Sequence, residues 1–192
     1  MAFDADVYTI DQLIRPVANL YRISTSAGEA VAFVRQKRMA LKEDIRFFSD
    51  EQETTELFRI KARSMFEVGG RYDVTGADGE RIGVLEKVFG RSLLRSTWRI
   101  HGADEQELAI AEERSQWIAL LRRVIDAVPY GDFIPIVFHF TIRRDAEQLG
   151  ELTRAWGIRD KYTLDLSRDT ARSIDRRLAV ALAIALDALQ SR

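Results

Sequence analysis

The basic side chains of this sequence are the residues whose types and spacing could bind a ligand. Four cations fall within eight residues of one another, beside the apolar residues Phe33 and Met39. Further arginines recur every four residues near Leu93 and Leu94. Lys and Arg side chains in such clusters can hold phosphate by charge and by hydrogen bonding. The first cluster consists of Arg35, Lys37, Arg38 and Lys42, and the second of Arg91, Arg95 and Arg99.

Ordinary surface charge is the alternative explanation of these two clusters. The chain has 29 basic and 30 acidic residues and a net charge of −1, so cations fall together by chance, and acids such as Glu43 and Asp44 balance them. Patches that bind membranes usually carry about 4–8 Lys and Arg residues. The balanced charge and the lack of a predicted helix with a basic face also argue against nucleic-acid binding.

The residues of common catalytic and metal sites are missing or badly spaced. The absence of Cys excludes disulfides, thiol catalysis and Cys-bound metals. His101 and His139 have no metal-binding partner at motif spacing, and we expect each to lie on the face of a strand. No nucleophile elbow, Walker loop or dinucleotide-binding glycine motif occurs. Glu112 and Glu113 are adjacent, so they should point apart as solvated charges. We therefore predict a non-enzymatic protein without a metal or cofactor.

The last apolar run of the chain, residues 178–189, sets the main structural requirement. Nine successive residues, 178–186, are apolar, and four of them are Ala. Ala is the best helix former and is depleted in strands, and polar residues from 169 onward extend the segment beyond strand length. We therefore predict a helix, and a helix that is apolar on every side must be buried on every side. Its large side chains are Leu178, Val180, Leu182, Ile184 and Leu186.

This predicted helix is too short to cross a membrane. Nine apolar residues span roughly 14 Å of helix, against about 30 Å of hydrocarbon. Extending the helix upstream adds Arg172, Arg176 and Arg177, and extending it downstream adds Asp187. The first residues also lack the basic and apolar regions of a secretory signal. We expect no transmembrane span and a cytoplasmic protein, which would be peripheral to a membrane if the basic clusters bind lipid.

A series of β-hairpins is predicted before this helix. Runs rich in β-branched and aromatic residues flank Gly-containing turns at residues 21–37, and the same pattern recurs at residues 72–88. Asp78-Gly79 is a strong hairpin signal, because Gly tolerates the positive φ of a tight turn. Fainter copies and single strands bring the total to about twelve. These further candidates are residues 8–10, 44–48, 57–62, 65–68, 98–113, 133–142, 140–154 and 161–166.

Residues 115–128 predict a second helix of a different kind. Their apolar residues, which include Trp117 and Leu121, follow a 3.6-residue rhythm on one side only. Ser115 is suited to cap the start of this helix, and Pro129 to end it. A one-sided helix of this kind should lie on the outer surface of a sheet.

These elements together constrain the fold. Antiparallel hairpins must bury one face, whereas the C-terminal helix must bury all of its faces. A barrel closed around that helix meets both demands and leaves no exposed sheet edge. An eight-stranded barrel is filled by its own side chains, so about eleven or twelve strands are needed. We predict that residues 1–192 form one mainly β domain: a closed antiparallel barrel of about twelve strands around the buried C-terminal helix, with a surface helix at 115–128.

Three features of the sequence resemble the LURP-one-related proteins, which belong with the phospholipid scramblases and the Tubby C-terminal domain. These features are the hairpin from Tyr72 to Gly83, the strand at residues 160–165, and the apolar C-terminal helix ending at Asp187. The resemblance covers nearly the whole chain, from about Tyr21 to Leu189. It implies a twelve-stranded antiparallel barrel wrapped around a hydrophobic C-terminal helix, with residues 115–128 added in a loop of the barrel.

The resemblance also implies which ligands to consider. Tubby domains of similar fold bind phosphoinositide head groups through Lys and Arg on the barrel, which makes the basic clusters head-group candidates. The scramblases have an acidic segment before the last helix, where this chain has Asp160, Asp165 and Asp169. The spacing of these acids lacks the ligands of an EF-hand loop, and we expect Asp169 to cap the helix instead. The chain also lacks the Cys-rich and Pro-rich segments of the scramblases.

Three hypotheses for the function follow. The leading one is a non-enzymatic barrel that binds anionic phospholipid head groups of the phosphoinositide type at a basic surface patch. The second is a protein-interaction scaffold without a lipid ligand. The third is an activity similar to that of the phospholipid scramblases, which the lack of a membrane-length apolar segment disfavours.

Overall fold

A computed structural model describes most of the chain in seven stretches. Within them, twelve strands and one helix are present. The surface helix predicted at 115–128 and the strand predicted at 65–68 lie outside the described residues. The described ranges are 3–14, 18–37, 44–63, 70–88, 96–114, 139–155 and 161–190. The elements are β1 (Val7–Ile14), β2 (Ala18–Thr25), β3 (Ala30–Lys37), β4 (Asp44–Phe48), β5 (Glu56–Ala62), β6 (Gly70–Gly76), β7 (Arg81–Val88), β8 (Thr97–His101), β9 (Glu107–Glu113), β10 (His139–Arg144), β11 (Glu147–Ala155), β12 (Lys161–Asp165) and α1 (Arg176–Gln190).

The twelve described strands form a closed antiparallel barrel. Each strand pairs with its neighbours in sequence, and β12 pairs with β1 to close the ring, with Tyr8 opposite Leu164. Closure leaves no strand edge exposed to pair with another chain. The mainly β class and the closed antiparallel barrel of about twelve strands, both predicted from the sequence, are confirmed.

The up-and-down order of the strands gives the barrel two different ends. All odd-numbered strands end at one of them, here called the loop rim, where β1 ends at Ile14 and β3 at Lys37. All even-numbered strands end at the other, here called the turn rim. The turn rim has short hairpin turns, two of which contain Gly28 at φ 83° and Gly79 at φ 85°, as the sequence predicted. The internal stretches outside the described residues all connect strand ends of the loop rim: 15–17, 38–43, 64–69, 89–95, 115–138 and 156–160.

One apolar cluster contains residues from the strands and from α1. Alternate strand residues, such as Trp98 and Ile100 of β8, are fully buried in it. Every residue of α1 from Leu178 to Leu186 belongs to the same cluster and is at most 3% exposed. A helix in which nine successive residues are buried has no face left for solvent.

Helix α1 begins at Arg176, later than the polar residues from 169 onward had suggested. The amide of Arg177 donates to Oδ1 of Asp175 at 2.8 Å, which makes Asp175 the N-cap residue. The prediction that Asp169 caps the helix is therefore wrong. Asp169 accepts amide hydrogen bonds from Ser173 and Ile174 and caps a preceding turn instead. Arg172 has φ 51°, a left-handed conformation that a right-handed helix cannot include, so the helix cannot extend back through this residue to Asp169.

Gly83 of β7 makes room for the start of α1. An ideal Cβ at Gly83 would lie 2.7 Å from Cδ2 of Leu178 and would overlap the carbonyl oxygen of His101. Gly83→Ala is therefore expected to lower the free energy of unfolding by about 1–3 kcal/mol, measured by chemical denaturation. Gly102→Ala is the control, because its Cβ would first meet a movable carboxylate oxygen of Asp104 at 3.0 Å. Equal losses in the two variants would show that Gly83 is not a close-packing site.

Candidate functional site

Each predicted basic cluster includes residues at or after the end of a strand that ends at the loop rim. Lys37 is the last residue of β3, and the second cluster follows Val88, the last residue of β7. Because both strands are odd-numbered, their ends lie at the same end of the barrel. The structure describes the side chain of Arg35 and the backbone of Lys37. The other four predicted head-group residues, Arg38, Lys42, Arg91 and Arg95, lie outside the described residues.

Arg35 lies among acidic side chains. Its Nη1 is 2.7 Å from Oε1 of Glu53, and it lines a cavity of about 160 Å³ together with Asp50, Glu51 and Glu53. Arg22, on the neighbouring strand, forms an ion pair with Glu51. The turn between β4 and β5 thus neutralises both arginines, so this wall is not a cationic surface by itself. The apolar lining of the cavity includes Leu13, Leu20, Phe33 and Phe48.

A larger group of ion pairs, here called the Glu105 cluster, lies on the outside of β6 and β7. The Glu105 carboxylate receives two hydrogen bonds from Arg63, Nη2 to Oε1 at 3.0 Å and Nη1 to Oε2 at 3.3 Å. Arg81 Nη2 lies 2.6 Å from the same Oε1, and Arg71 Nη1 lies 3.9 Å from Oε2. The members of the cluster are Arg63, Arg71, Asp73, Arg81, Glu86, His101 and Glu105.

Two carboxylates fixed on strands orient these arginines. Asp73 of β6 accepts from Arg63 Nε at 2.9 Å and from Arg81 Nη2 at 3.2 Å. Glu86 of β7 accepts from Arg71 Nη2 at 3.3 Å and lies 2.9 Å from Nε2 of His101. Burial of Glu86 tends to raise its pKa, but the hydrogen bond with His101 and the charge of Arg71 outweigh burial and hold that pKa below its usual range.

No local pattern in the sequence predicted the Glu105 cluster. Its arginines lie at three separate positions in β5–β7 and the adjoining segments, and Glu105 lies in the turn between β8 and β9. Only the contact between Arg71 and Glu86 could be predicted from the pairing of two strands in a hairpin, because these residues are opposite each other in β6 and β7. The convergence of Arg63 and Arg81 on Glu105 depends on the closed sheet.

The structure corrects one interpretation of the titratable residues and agrees with another. Glu113 is only 2% exposed, so the prediction that Glu112 and Glu113 are both solvated is wrong for Glu113. It is in phase with the buried alanines of β9, as strand alternation requires. His101 and His139 lie on strands, as predicted, and Nε2 of His139 is 3.1 Å from a carboxylate oxygen of Glu151.

Polar contacts hold α1 near both of its ends. At the start of the helix, Arg176 Nη1 donates to Asp169 and Nη2 donates to Asp6, each at 2.7 Å. Near the other end, Asp187 accepts hydrogen bonds from the hydroxyl groups of Tyr162 and, at 2.6 Å, Tyr21. Burial, reinforced by the Asp187 carboxylate, raises the pKa of Tyr21 far above its usual range. Tyr21 is therefore a hydrogen-bond donor at any physiological pH.

The described ranges also bear on metal binding and on membrane spans. No group of three His, Asp or Glu side chains in them could hold a metal ion. No helix in this part of the chain combines the length and the apolar character that a bilayer span requires.

Comparison with known proteins adds a family match. A family model described as LURP-one-related matches residues 30–187 of this chain. The matched span runs from β3 through the barrel to Asp187 near the end of α1, and it includes the three features that carried the resemblance in the sequence. A search of curated proteins finds no match.

Proposed function

This chain belongs to the LURP-one-related family, and from that premise we propose that its barrel binds anionic phospholipid head groups of the phosphoinositide type at the loop rim. The observation that carries the proposal is that β3 and β7 end at the same rim. Lys37 is the last residue of β3, and Arg91 and Arg95 follow β7 along the chain. The proposed function implies a non-enzymatic protein peripheral to the cytoplasmic face of a membrane. The proposed ligand residues are Arg35, Lys37, Arg38, Lys42, Arg91 and Arg95.

We also propose that the chain forms a single barrel domain and that α1 fills the interior of the barrel. Burial of residues 178–186 in the common apolar cluster supports this placement. Arg177 at the start of α1 binds Glu80 of a turn at the turn rim. Asp187 near its end binds Tyr162, the second residue of β12, which begins at the loop rim. A helix between these contacts occupies the barrel, so a ligand must bind at a rim or on the outer wall.

Charge reversal in the basic connections tests the lipid proposal. Each Lys or Arg near an anionic membrane contributes about 1 kcal/mol, so Arg38→Glu with Lys42→Glu should weaken binding more than about tenfold. Sedimentation with liposomes containing phosphoinositide, compared with neutral liposomes, measures the effect. The affinity should also fall at higher salt, because the attraction is screened.

The control carries the same charge change at the opposite end of the barrel. Arg143 and Arg168 are exposed and lie near the turn rim. A variant with Arg143→Glu and Arg168→Glu should keep most of the liposome binding. Equal losses in both double variants would indicate non-specific attraction, and wild-type binding no stronger than to neutral liposomes would exclude the lipid proposal.

A protein-interaction role is the second candidate. The shallow cavity beside Arg35 favours it, because its apolar lining is bordered by paired charges of both signs. Such a surface, with an apolar centre and a polar rim, is typical of protein contacts. This role predicts capture of a protein partner that does not depend on lipid. Among the described residues, no contact favours the scramblase-like alternative.

A further inference from the structure

Glu105 occupies a place that a bound anion would take. Its Oε1 lies between the guanidinium groups of Arg63 and Arg81, at 3.0 and 2.6 Å from the nearest nitrogens. Arg63 approaches it with two nitrogens, which is the paired geometry that guanidinium groups adopt with carboxylate and phosphate ligands. Glu105 therefore acts as an internal ligand of this arginine group.

The fit of Glu105 to the three arginines is incomplete. Arg71 Nη1 is 3.9 Å from Oε2, which is too far for a hydrogen bond. A carboxylate has two oxygens, and here Oε1 already accepts from Arg63 and Arg81 while Oε2 accepts from Arg63. A tetrahedral phosphate has more acceptor oxygens and can offer one to each of the three guanidinium groups.

Glu105 is also the acid of the cluster that can leave most easily. Its side chain is 40% exposed, against 29% for Asp73 and 16% for Glu86. It belongs to a turn, whereas the other two acids lie within strands. If Glu105 moved away, three guanidinium groups would face two carboxylates, leaving a positive excess for an anion.

The turn that carries Glu105 holds it in a left-handed backbone conformation. Its hydrogen bonds, from Gly102 N to Gln106 O and from Glu105 N to Gly102 O, repeat the pattern of two other hairpin turns. In those turns, Gly28 and Gly79 stand where Glu105 stands here. Glu105 has φ 64°, a left-handed conformation that favours Gly and costs other residues on the order of 1 kcal/mol. The local backbone thus disfavours Glu at this position, and its contacts with the arginines compensate.

Space for a ligand is present beside the cluster. A cavity of about 480 Å³ is lined by Lys61, Arg63, Thr75 and Arg81, together with Asp73. Lys61 and Arg81 are exposed, and the cavity opens to solvent on the outer wall. None of the six predicted head-group residues is among the described residues that form the Glu105 cluster or line this cavity.

We propose that the Glu105 cluster is an anion site for a phosphate group, which binds Arg63, Arg71 and Arg81 when Glu105 swings out. Glu105 competes with the ligand from within the chain, so the apparent affinity is the intrinsic affinity multiplied by the fraction of molecules in which Glu105 has left the site. The site does not depend on lipid binding at the loop rim, so either proposal can fail alone.

Glu105→Gln tests the competition directly. It keeps the size of the side chain and removes the charge that holds the arginines. Titration calorimetry with inorganic phosphate, at an ionic strength kept constant with chloride, should show binding at least about tenfold tighter than to the wild type. Glu105→Gly introduces the residue that the two other turns have at this position, and it should give the same gain in affinity. It replaces the Gln variant in the test if that variant folds poorly.

Two further variants decide between a site and a general charge effect. Glu107→Gln makes the same charge change in an exposed ion pair with Arg99, whose side chains are both 43% exposed, and should bind phosphate like the wild type. Adding Arg63→Gln to Glu105→Gln should abolish the gain. The proposal is overturned if neither Glu105 variant binds phosphate more tightly than the wild type, or if the gain survives the loss of Arg63.

The source of the phosphate group is distinguished by a second arm of the same experiment. The Glu105→Gln variant is mixed with vesicles of phosphatidylcholine, with or without phosphatidic acid. Arg63-dependent binding to the phosphatidic acid vesicles identifies a lipid phosphate as a ligand, whereas binding of inorganic phosphate alone identifies a free anion. Failure of both probes overturns the site.

Discussion

Leu182→Asp is expected to prevent folding of this chain. Leu182 is 1% exposed in the apolar cluster, and the residues of α1 on both sides of it are also buried. An ionised carboxylate there would have neither water nor a cation, and burying it costs more than the about 5–15 kcal/mol by which proteins are usually stable. Even Leu182→Ala should cost about 2–5 kcal/mol. Circular dichroism and thermal melting of the purified variant measure the result.

The matched control places the same substitution on the outside of the barrel. Leu13 lines the shallow cavity beside Arg35 and is half-buried. Leu13→Asp can keep its carboxylate in water, and we expect it to fold with a loss of about 1 kcal/mol or less. A soluble Leu182→Asp variant that melts cooperatively would contradict the proposed placement of α1 inside the barrel.

Local signals in the sequence were sufficient to predict the hairpins, and the closed barrel was predicted from the need to bury the apolar C-terminal helix. Turn glycines such as Gly28 and Gly79 marked the connections, and alternating apolar residues gave the strand faces. The sequence predicted β1 only at residues 8–10, whereas it extends over Val7–Ile14. Pairing with β2 and β12 on both sides sustains the longer strand, and this is a tertiary effect that no local pattern contains.

The candidate sites were less predictable, because they depend on which strands become neighbours. The basic residues around Arg35 were visible as a cluster, but the acidic turn that neutralises Arg35 was not predicted to fold over it. The Glu105 cluster combines side chains from β5–β8 and their connections, and a register shift between Val74 and Thr75 helps to set their positions. Spacing along the chain does not encode contacts of this kind, since a bulge changes which residues face one another.

Arg176 is the charged residue that should matter most for stability. Its side chain is 4% exposed and connects the helix start to Asp169, which is 1% exposed, and to Asp6 before β1. Arg176→Met would leave the Asp169 carboxylate buried without its cation. Breaking a buried ion pair in this way costs about 3–5 kcal/mol, whereas a mostly solvated pair contributes about 1 kcal/mol or less. Arg177→Met is therefore the control, since Arg177 is 31% exposed and its acidic partners Glu80 and Asp175 reach solvent.

The effect of Arg176→Met should also depend on pH in one direction only. Burial alone would raise the pKa of Asp169. Hydrogen bonds from Ser173, Ile174 and Arg176 outweigh burial and lower that pKa from 3.8 to about 2. A carboxyl group whose pKa is lower in the folded state stabilises the fold above its unfolded pKa, and this stabilisation disappears as the pH falls through its folded pKa. The difference in unfolding free energy between the wild type and Arg176→Met should therefore be largest near neutral pH and shrink as the pH falls towards about 2, where Asp169 becomes protonated in the wild type as well. Denaturant unfolding at several pH values measures it, and a difference that stays constant down to pH 2 would show that Arg176 does not act through the Asp169 carboxylate.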